Sequence, residues 1–462
     1  MKSVDKFDLV GPLDYRYISE KERKDLAPYL SENARVFYQA KVEAAIVDVL
    51  SDYGVCSKKI AKNVKRAASL VKAEAVYAEE RIIKHDVRAL VNVMRSKVAN
   101  DAKPFIHFSA TSYDIVDSSN SARYKDAVEK VLLPELLRFE KLLIKLALRH
   151  KNALQIGRTH GQHAEPITFG FTLAEYVARL GDRIEKLKQI NDELYGKFSG
   201  AVGCYNAQSL LLKNPVDFEK KLMKKLGLKV APFSTQIVMP EAYEDLQHTI
   251  ISCFTVLANF SDDMRNLQRS EINEIAEAFS GQQVGSSTMP HKRNPINFEN
   301  VKSFWKQFMP RMITAYMDGI SDHQRDLTNS ASQRFIQEII VGLYLSTKRL
   351  NKVCKNLVVD SESMKANFDC AKNKVVAEPL YILLAKYGHK DAHEKVRKLT
   401  LEADADNELL VEVVMHHTEL IPYLKKFSKK ELAIINNPEN YTGLAAEKTG
   451  QVCFYWKKKL KL

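Results

Sequence analysis

The residues best suited to chemistry in this 462-residue chain fall in a few short polar stretches. The most informative is Ser280–Pro295, SGQQVGSSTMPHKRNP, where two glycines, a serine pair, two prolines and a His-Lys-Arg run gather in one place. Such a composition predicts a loop. Hydroxyls and backbone amides in a loop can cradle carboxylate oxygens, and Lys292 and Arg293 add positive charge to the same neighbourhood. A basic Gly/Pro loop without any chemical role would have the same composition.

A second stretch, Gly157–Gly170, reads GRTHGQHAEPITFG and places His160 and His163 just before an amphipathic segment. The start of a helix there would expose one of the two. Histidine, with an ordinary pKa of about 6.5, can give a proton to a leaving nitrogen near neutral pH; a lone histidine can equally be structural. Two earlier clusters pair an imidazole with a carboxylate: His85-Asp86 within KHDVRAL, and His107 with Thr111, Ser112 and Asp114 within HFSATSYD. The carboxylate can orient the ring, and a buried polar network would serve stability in the same way. Further on, QRDLTNSASQR sets Arg325 and Arg334 nine residues apart with Ser330 between them. If the segment bends back on itself the pair forms a phosphate clamp; surface arginines are the plain alternative.

The elements that must position these residues are helices. Glycine is scarce, apolar residues recur at three and four, and period-2 alternation is hard to find, so the fold class is all-α. Ser31–Tyr53 puts Val36, Phe37, Ala40, Ala44, Val47 and Leu50 on one face and ends before Gly54, where a C′ glycine belongs. Leu173, Val177, Leu180, Ile184, Leu187 and Leu194 keep an alternating four-three spacing, broken only by Asn191, which predicts helices packed nearly parallel in a long bundle. Glu241–Ser280 holds neither Gly nor Pro, which permits a helix on the order of 60 Å.

At 52.6 kDa the chain exceeds one ordinary domain. Soft boundaries fall at Asp101–Asp117 and Leu357–Met364, giving an N-terminal helical domain over 1–111, a central long-helix bundle over 112–364 that carries the Ser280–Pro295 loop, and a C-terminal helical domain over 365–462. Six cysteines without CxxC spacing, no secretory segment and no 18-residue apolar run read as a reduced, cytoplasmic chain without structural zinc and without a membrane partner. The net charge of +13 attracts anions of any kind. It is also what a lysine-rich solvated surface gives, and the WKKKLKL terminus, Trp456–Leu462, reads first as a solvated basic helix end.

GSSTMPHKRNP resembles the signature loop of the fumarase/aspartase superfamily, whose members break a C–N or C–O bond to release fumarate or a close analogue. TSYD near residue 112 and RTHGQHAEP near 160 fall in that superfamily's order. Within it the chain is similar to the adenylosuccinate lyases through Arg16-Tyr17, KHD at Lys84–Asp86, SGAVGCY at Ser199–Tyr205, STQ at Ser234–Gln236, the HKRNP form of the loop, QRDLTNSASQR and AHEKVRKL at Ala392–Leu399. One departure stands out. Where that family commonly continues after STQ with a basic RDR-like run, this chain has IVMPEAYED, with Pro240, Glu241 and Ala242, so no role for those arginines transfers.

The resemblance implies three helical domains whose long helices assemble across a homotetramer, with each site built from three chains. It implies His160 as general acid on the departing purine-side nitrogen and Ser287 as the base that takes the Cβ proton. His85 would orient acid and nucleotide, and Glu299 would support the acid. Lys292 and Asn294, with Thr111 and Ser112, would face the charge developing on the succinyl carboxylate. His107, Asp86 and Thr159 would position substrate, while Arg16, Tyr17, Gln236, Arg325, Ser330 and Arg334 would hold base, ribose and phosphate. The substrates implied are succinyl-purine nucleotides; no metal and no organic cofactor is implied. Two other readings stay open: another lyase of the superfamily, such as an argininosuccinate lyase or a carboxymuconate cycloisomerase, and a basic helical nucleic-acid-binding protein. The first has no need of the Arg325–Arg334 clamp; for the second no nucleic-acid module or aromatic stacking pattern is present.

Overall fold

The structure, a computed structural model, describes residues 11–279, 288, 289 and 291–462. Helix accounts for 67% of the chain, so the all-α expectation holds, with small strand pairs inserted between helices. The chain forms two compact units. The first comprises Met1–Leu137, Asp182–Leu257 and Ser303–Lys348, the second Arg138–Gly181, Ala258–Lys302 and Arg349–Leu462.

In the first unit the Glu32–Asp52 helix starts at Ser31, whose hydroxyl accepts the Ala34 N–H, and stops before Gly54 at φ +73°. Its buried stripe is Val36, Ala40, Ala44, Val47 and Leu50, and it packs on Val64, Ala67, Val76, Leu90 and Met94. Phe37, expected on that stripe, is instead 48% exposed. It falls, with Lys41 and Asp48 four and eleven residues on, on the one narrow face left to solvent by a helix buried almost all round.

The Phe169–Asn191 helix buries Leu173, Val177, Leu180, Ile184 and Leu187 completely, as the four-three spacing requires. Asn191 is buried too, its amide donating to the Lys125 carbonyl at 3.2 Å. The Gly- and Pro-free run after Pro240 is shorter as a helix than its sequence permits: Glu241–Leu267, about 40 Å. Asn273 then takes a left-handed conformation at φ +51°, and Glu274 leads into the Ile275–Ala276 strand. The second unit gathers a separate core from Val376, Leu380, Leu384, Val396, Leu399, Leu410 and Val414.

GRTHGQHAEPIT, which precedes the Phe169–Asn191 helix, holds a strand pair not anticipated from its sequence. Leu154–Thr159 and Gln162–Thr168 form an antiparallel hairpin. His160 at φ +55° and Gly161 at φ +76° supply the two positive-φ residues of a two-residue primed turn. The motif does run into the Phe169–Asn191 helix, as expected, but it is the hairpin tip and not the helix start that exposes His160. Among the described residues no helix is long and apolar enough to cross a membrane.

Candidate active site

In the first unit a cavity of about 410 Å³ draws on five separate stretches, through Arg35, His85 and Asp86, Ser112, Gln236, and Ser330 with Arg334. Local structure explains each position. Lys84 ends the preceding helix in a left-handed conformation, which turns the chain so that His85 caps the Asp86–Arg95 helix, its Nδ1 accepting the Arg88 N–H at 3.3 Å. Because Nδ1 is an acceptor, the ring proton of neutral His85 sits on Nε2. Asp86 accepts the Val87 N–H at 2.7 Å through one oxygen, and its other oxygen faces the Arg334 guanidinium at 3.5 Å. Arg334 is held in the short Ser332–Phe335 turn, which Ser332 and Asn329 fasten to Asp318. The bend predicted from QRDLTNSASQR is therefore present.

The clamp differs in detail. Arg334 meets the cavity, whereas Arg325 lies beside it with its guanidinium buried, 5.4 Å over the Tyr113 ring, and among the described residues none of its three side-chain nitrogens has a hydrogen-bond partner. A buried guanidinium without partners is costly unless something else supplies acceptors. Its backbone, at φ +152°, adopts a conformation that side chains rarely take. Gln236 reaches the same loop by donating its N–H to the Gln324 carbonyl at 3.4 Å.

Thr111 and Ser112 open the Ser112–Ala127 helix. Asp114 accepts the Thr111 N–H at 2.9 Å, and its other oxygen takes the Lys197 ammonium in a pair wholly out of water. Ser199 and Gly200 also donate to that oxygen, so TSYD and SGAVGCY, distant in sequence, share one carboxylate. His107 is left-handed at φ +62°; its Nδ1 lies 2.7 Å from the buried Glu43 carboxylate, which also accepts the His107 N–H. Burial alone would lower this imidazole, but the bond and charge of Glu43 outweigh it and raise the pKa above the usual histidine value. Arg16 and Tyr17 lie elsewhere in the unit. Tyr17 stands edge-on to Phe304 at 4.6 Å and lines a second, largely apolar cavity of about 650 Å³.

In the second unit Thr159 and His160 are exposed at the hairpin tip. The hairpin is fixed from below by Glu274, a fully buried carboxylate that accepts from Arg158 at 2.8 Å, Gln155 at 2.6 Å and Asn367 at 2.9 Å. His163, one strand over, is held below the ordinary histidine pKa by burial and by the Arg158 charge. Ser287 lies outside the described residues. Lys292 is exposed and Asn294 half-buried just before the Ile296–Phe308 helix, and Glu299 is exposed in its first turn. The buried Glu277 carboxylate seats that helix by accepting the Asn297 and Phe298 N–H groups, both at 2.9 Å. Sequence reasoning did not single out Glu43, Glu274 or Glu277. Among the described residues no three His, Cys, Asp or Glu side chains are placed to hold a metal ion.

Residues 11–309 match the Lyase family and residues 321–442 the Adenylosuccinate lyase C-terminal family. An adenylosuccinate lyase of Pyrococcus horikoshii is 36% identical over 96% of this chain and 98% of its own length. That of Bacillus subtilis is 32% identical over 84% of this chain and 88% of its own. In fold the chain is similar to the 3-carboxy-cis,cis-muconate lactonizing enzyme of Pseudomonas putida, with a TM-score of 0.84 at 22% identity over 97% and 99% of the two chains. A fumarate lyase of Mesorhizobium follows at 0.80 and 22% over 94% and 98%. The fold is thus shared with enzymes of different names, and it is to adenylosuccinate lyases that identity of 30% and above extends over most of both chains: this chain belongs to the adenylosuccinate lyase family, within the fumarase/aspartase superfamily.

Proposed function

We propose that the chain eliminates fumarate from adenylosuccinate, leaving AMP, and from the corresponding succinyl-aminoimidazole-carboxamide ribonucleotide of purine biosynthesis. Ser287 takes the Cβ proton of the succinyl group, the electron pair forms the new C=C bond, the C–N bond breaks, and His160 returns a proton to the departing nitrogen. Negative charge builds on the succinyl carboxylate before the C–N bond breaks, so donors aimed at it lower the barrier most; Lys292, Asn294, Thr111 and Ser112 take that part. Serine is a weak base at its ordinary pKa, and positive neighbours such as Lys292 favour the alkoxide. His85 and Glu299 orient the acid, Asp86, His107 and Thr159 position substrate, and Arg16, Tyr17, Gln236, Arg325, Ser330 and Arg334 hold the nucleotide.

The observation that carries this reading is the cavity of the first unit, where His85, Asp86, Gln236, Ser330 and Arg334 meet. A phosphorylated substrate needs such a basic, hydrogen-bonding pocket, and an unphosphorylated amino-acid adduct does not. The hairpin tip with His160 and the described residues His291, Lys292 and Arg293 are exposed rather than enclosed, which supports sites completed by another copy of the chain; we take that assembly as a homotetramer of three-domain chains, divided at 1–111, 112–364 and 365–462, in the cytoplasm. Following fumarate release from adenylosuccinate by absorbance tests the activity. A well-folded tetramer that releases none would end this reading.

A further inference from the structure

The cavity that holds Arg334 and Ser330 has a second arginine in its wall, Arg123, with a different character. It belongs to the Ser112–Ala127 helix and is 2% exposed. Nε donates to Asn120 Oδ1 at 3.0 Å, Nη1 to Gln337 Oε1 at 2.9 Å and Nη2 to the Tyr124 hydroxyl at 2.9 Å, with the Tyr124 ring 4.5 Å from the guanidinium carbon. Every one of these partners is neutral. Arg334 by contrast faces Asp86, and Arg35, in the same wall, donates to Glu32 at 2.8 Å.

Glu32 is also the carboxylate that feels Arg123 through space. Burial alone would raise its carboxyl, but the Tyr77 hydroxyl and the charges of Arg35 and Arg123 hold it below its ordinary value. Two guanidinium groups thus share one carboxylate, and with Arg35, Lys84, Arg123 and Arg334 set against Glu80, Asp86 and the neighbouring Glu32 the wall keeps a positive charge that its carboxylates do not cancel. A buried charge left in that state costs stability, so its presence in the wall of a ligand cavity calls for a ligand that returns the balance. A phosphate dianion does so.

We propose that Arg123 is a specificity-determining residue, a fixed charge that raises the affinity of this cavity for the phosphate of the nucleotide without taking part in the elimination. The proposal rests on the reading above that the cavity takes the phosphorylated end of the substrate. A purely structural route also exists, because the Tyr124 hydroxyl bonded to Arg123 donates to the Gln333 carbonyl at 3.4 Å, next to Arg334. Charge and scaffolding separate by substitution: Arg123→Lys keeps the charge and loses the planar hydrogen-bond fork, Arg123→Gln keeps a donor and loses the charge, and Arg123→Met loses both.

The experiment measures kcat and KM of the full-length wild type and the three variants on adenylosuccinate and on its unphosphorylated nucleoside, together with inhibition by inorganic phosphate. In Arg123→Met and Arg123→Gln, KM for the phosphorylated substrate and the inhibition constant of phosphate should rise roughly tenfold. Constants for the nucleoside should stay put, and Arg123→Lys should recover most of the loss. An equal loss on both substrates, a fall in kcat at constant KM, or a lysine variant as weak as the neutral ones would overturn the proposal. So would folding of the lysine variant alone, since the charge would then serve stability. If the wild type cleaves neither substrate, the activity reading falls by itself. Calorimetric titration with inorganic phosphate then decides this one: weaker binding in the neutral variants supports it, and unchanged binding refutes it.

Discussion

The two units treat their functional residues in opposite ways. In the first, His85, Asp86, Gln236, Ser330 and Arg334 are drawn around one cavity by capping, ion pairing and turn bonds within a single chain. In the second, His160 rides an exposed hairpin tip and Lys292 an exposed segment, while the rigid parts lie beneath them: Glu274 under the hairpin, Glu277 under the helix that follows the signature. A binding site for a charged, compact group gains from being preformed, because ordering costs are then met by folding. If, as proposed, the proton donor meets substrate held by another copy, it gains from projection on a stiff mount. On the proposed function the contrast separates a nucleotide-holding half from a proton-transferring half, and substitutions in the two should fail differently.

The largest effect belongs to the proton-transferring half. Ser287→Ala and His160→Ala should each lower kcat by roughly 10²- to 10⁴-fold, the usual span for general acid or base groups, with substrate binding still measurable. A kcat within tenfold of wild type would remove the residue from its role. Mixing the two inactive proteins and allowing subunit exchange should restore part of the activity, since a hybrid assembly can bring an intact acid from one copy to an intact base from another. Absence of any recovery in verified hybrids would show that each chain completes its own site.

Next in size is the mount of the hairpin. Glu274 is a buried carboxylate with Arg158, Gln155 and Asn367 on it. Glu274→Gln leaves the Arg158 charge half-buried without its counter-ion, a change that costs about 3 to 5 kcal/mol where a buried pair is broken. The melting temperature should drop and kcat with it, with no preference between phosphorylated and unphosphorylated substrates. A stable variant of normal activity would show that the tip does not depend on its base.

How these features appear in the sequence depends on the range over which they are encoded. The Glu32–Asp52 and Phe169–Asn191 helices are legible because their apolar period and the Gly54 stop lie within the segment itself. The Glu241–Ser280 run misleads because the absence of Gly and Pro permits a helix without requiring one. The helix stops at Leu267, and the left-handed Asn273 and the bonds that claim Glu274 then carry the chain into a strand, with the Glu274 partners Gln155 and Arg158 far away in sequence. The hairpin hides for another reason: GRTHGQHAEP is polar on both faces, so alternation has nothing to show, and the one local signal is the His160-Gly161 pair. Glu43, Glu274 and Glu277 read as ordinary surface acids until His107, Arg158 and Asn297 are seen beside them.

A smaller effect tests the nucleotide-holding half. Among the described residues Arg334 faces the cavity with the longer 3.5 Å contact to Asp86 as its ion pair, so it is available to a phosphate, and a charge-assisted bond is worth roughly 1.5 to 3 kcal/mol. Arg334→Ala should lower kcat/KM for adenylosuccinate by about tenfold to a hundredfold and leave the already poor reaction of the unphosphorylated nucleoside nearly unchanged. Equal losses on both would move Arg334 to the succinyl end or to the scaffold and dissolve the distinction between the halves.

The smallest expected effect concerns stability alone and sits at His107. Glu43 raises the His107 pKa in the folded chain, while the unfolded chain titrates near 6.5. The folded state therefore holds the proton more tightly, so this pair contributes its full stabilisation below about pH 6.5 and loses it as pH climbs through the raised folded value. Asp117, which burial pushes up to about 6, has the same sign, but its decline falls between the ordinary carboxylate range and pH 6, below the His107 window. Unfolding by urea across pH 6 to 9 should show stability declining with a slope under about 1.4 kcal/mol per pH unit, the limit for one proton. In His107→Gln, whose amide can still donate to Glu43, that part of the slope should vanish while the contributions of all other groups remain. Identical slopes in the two proteins would mean that His107 carries no extra proton when folded, and that its bond to Glu43 is made by the neutral ring.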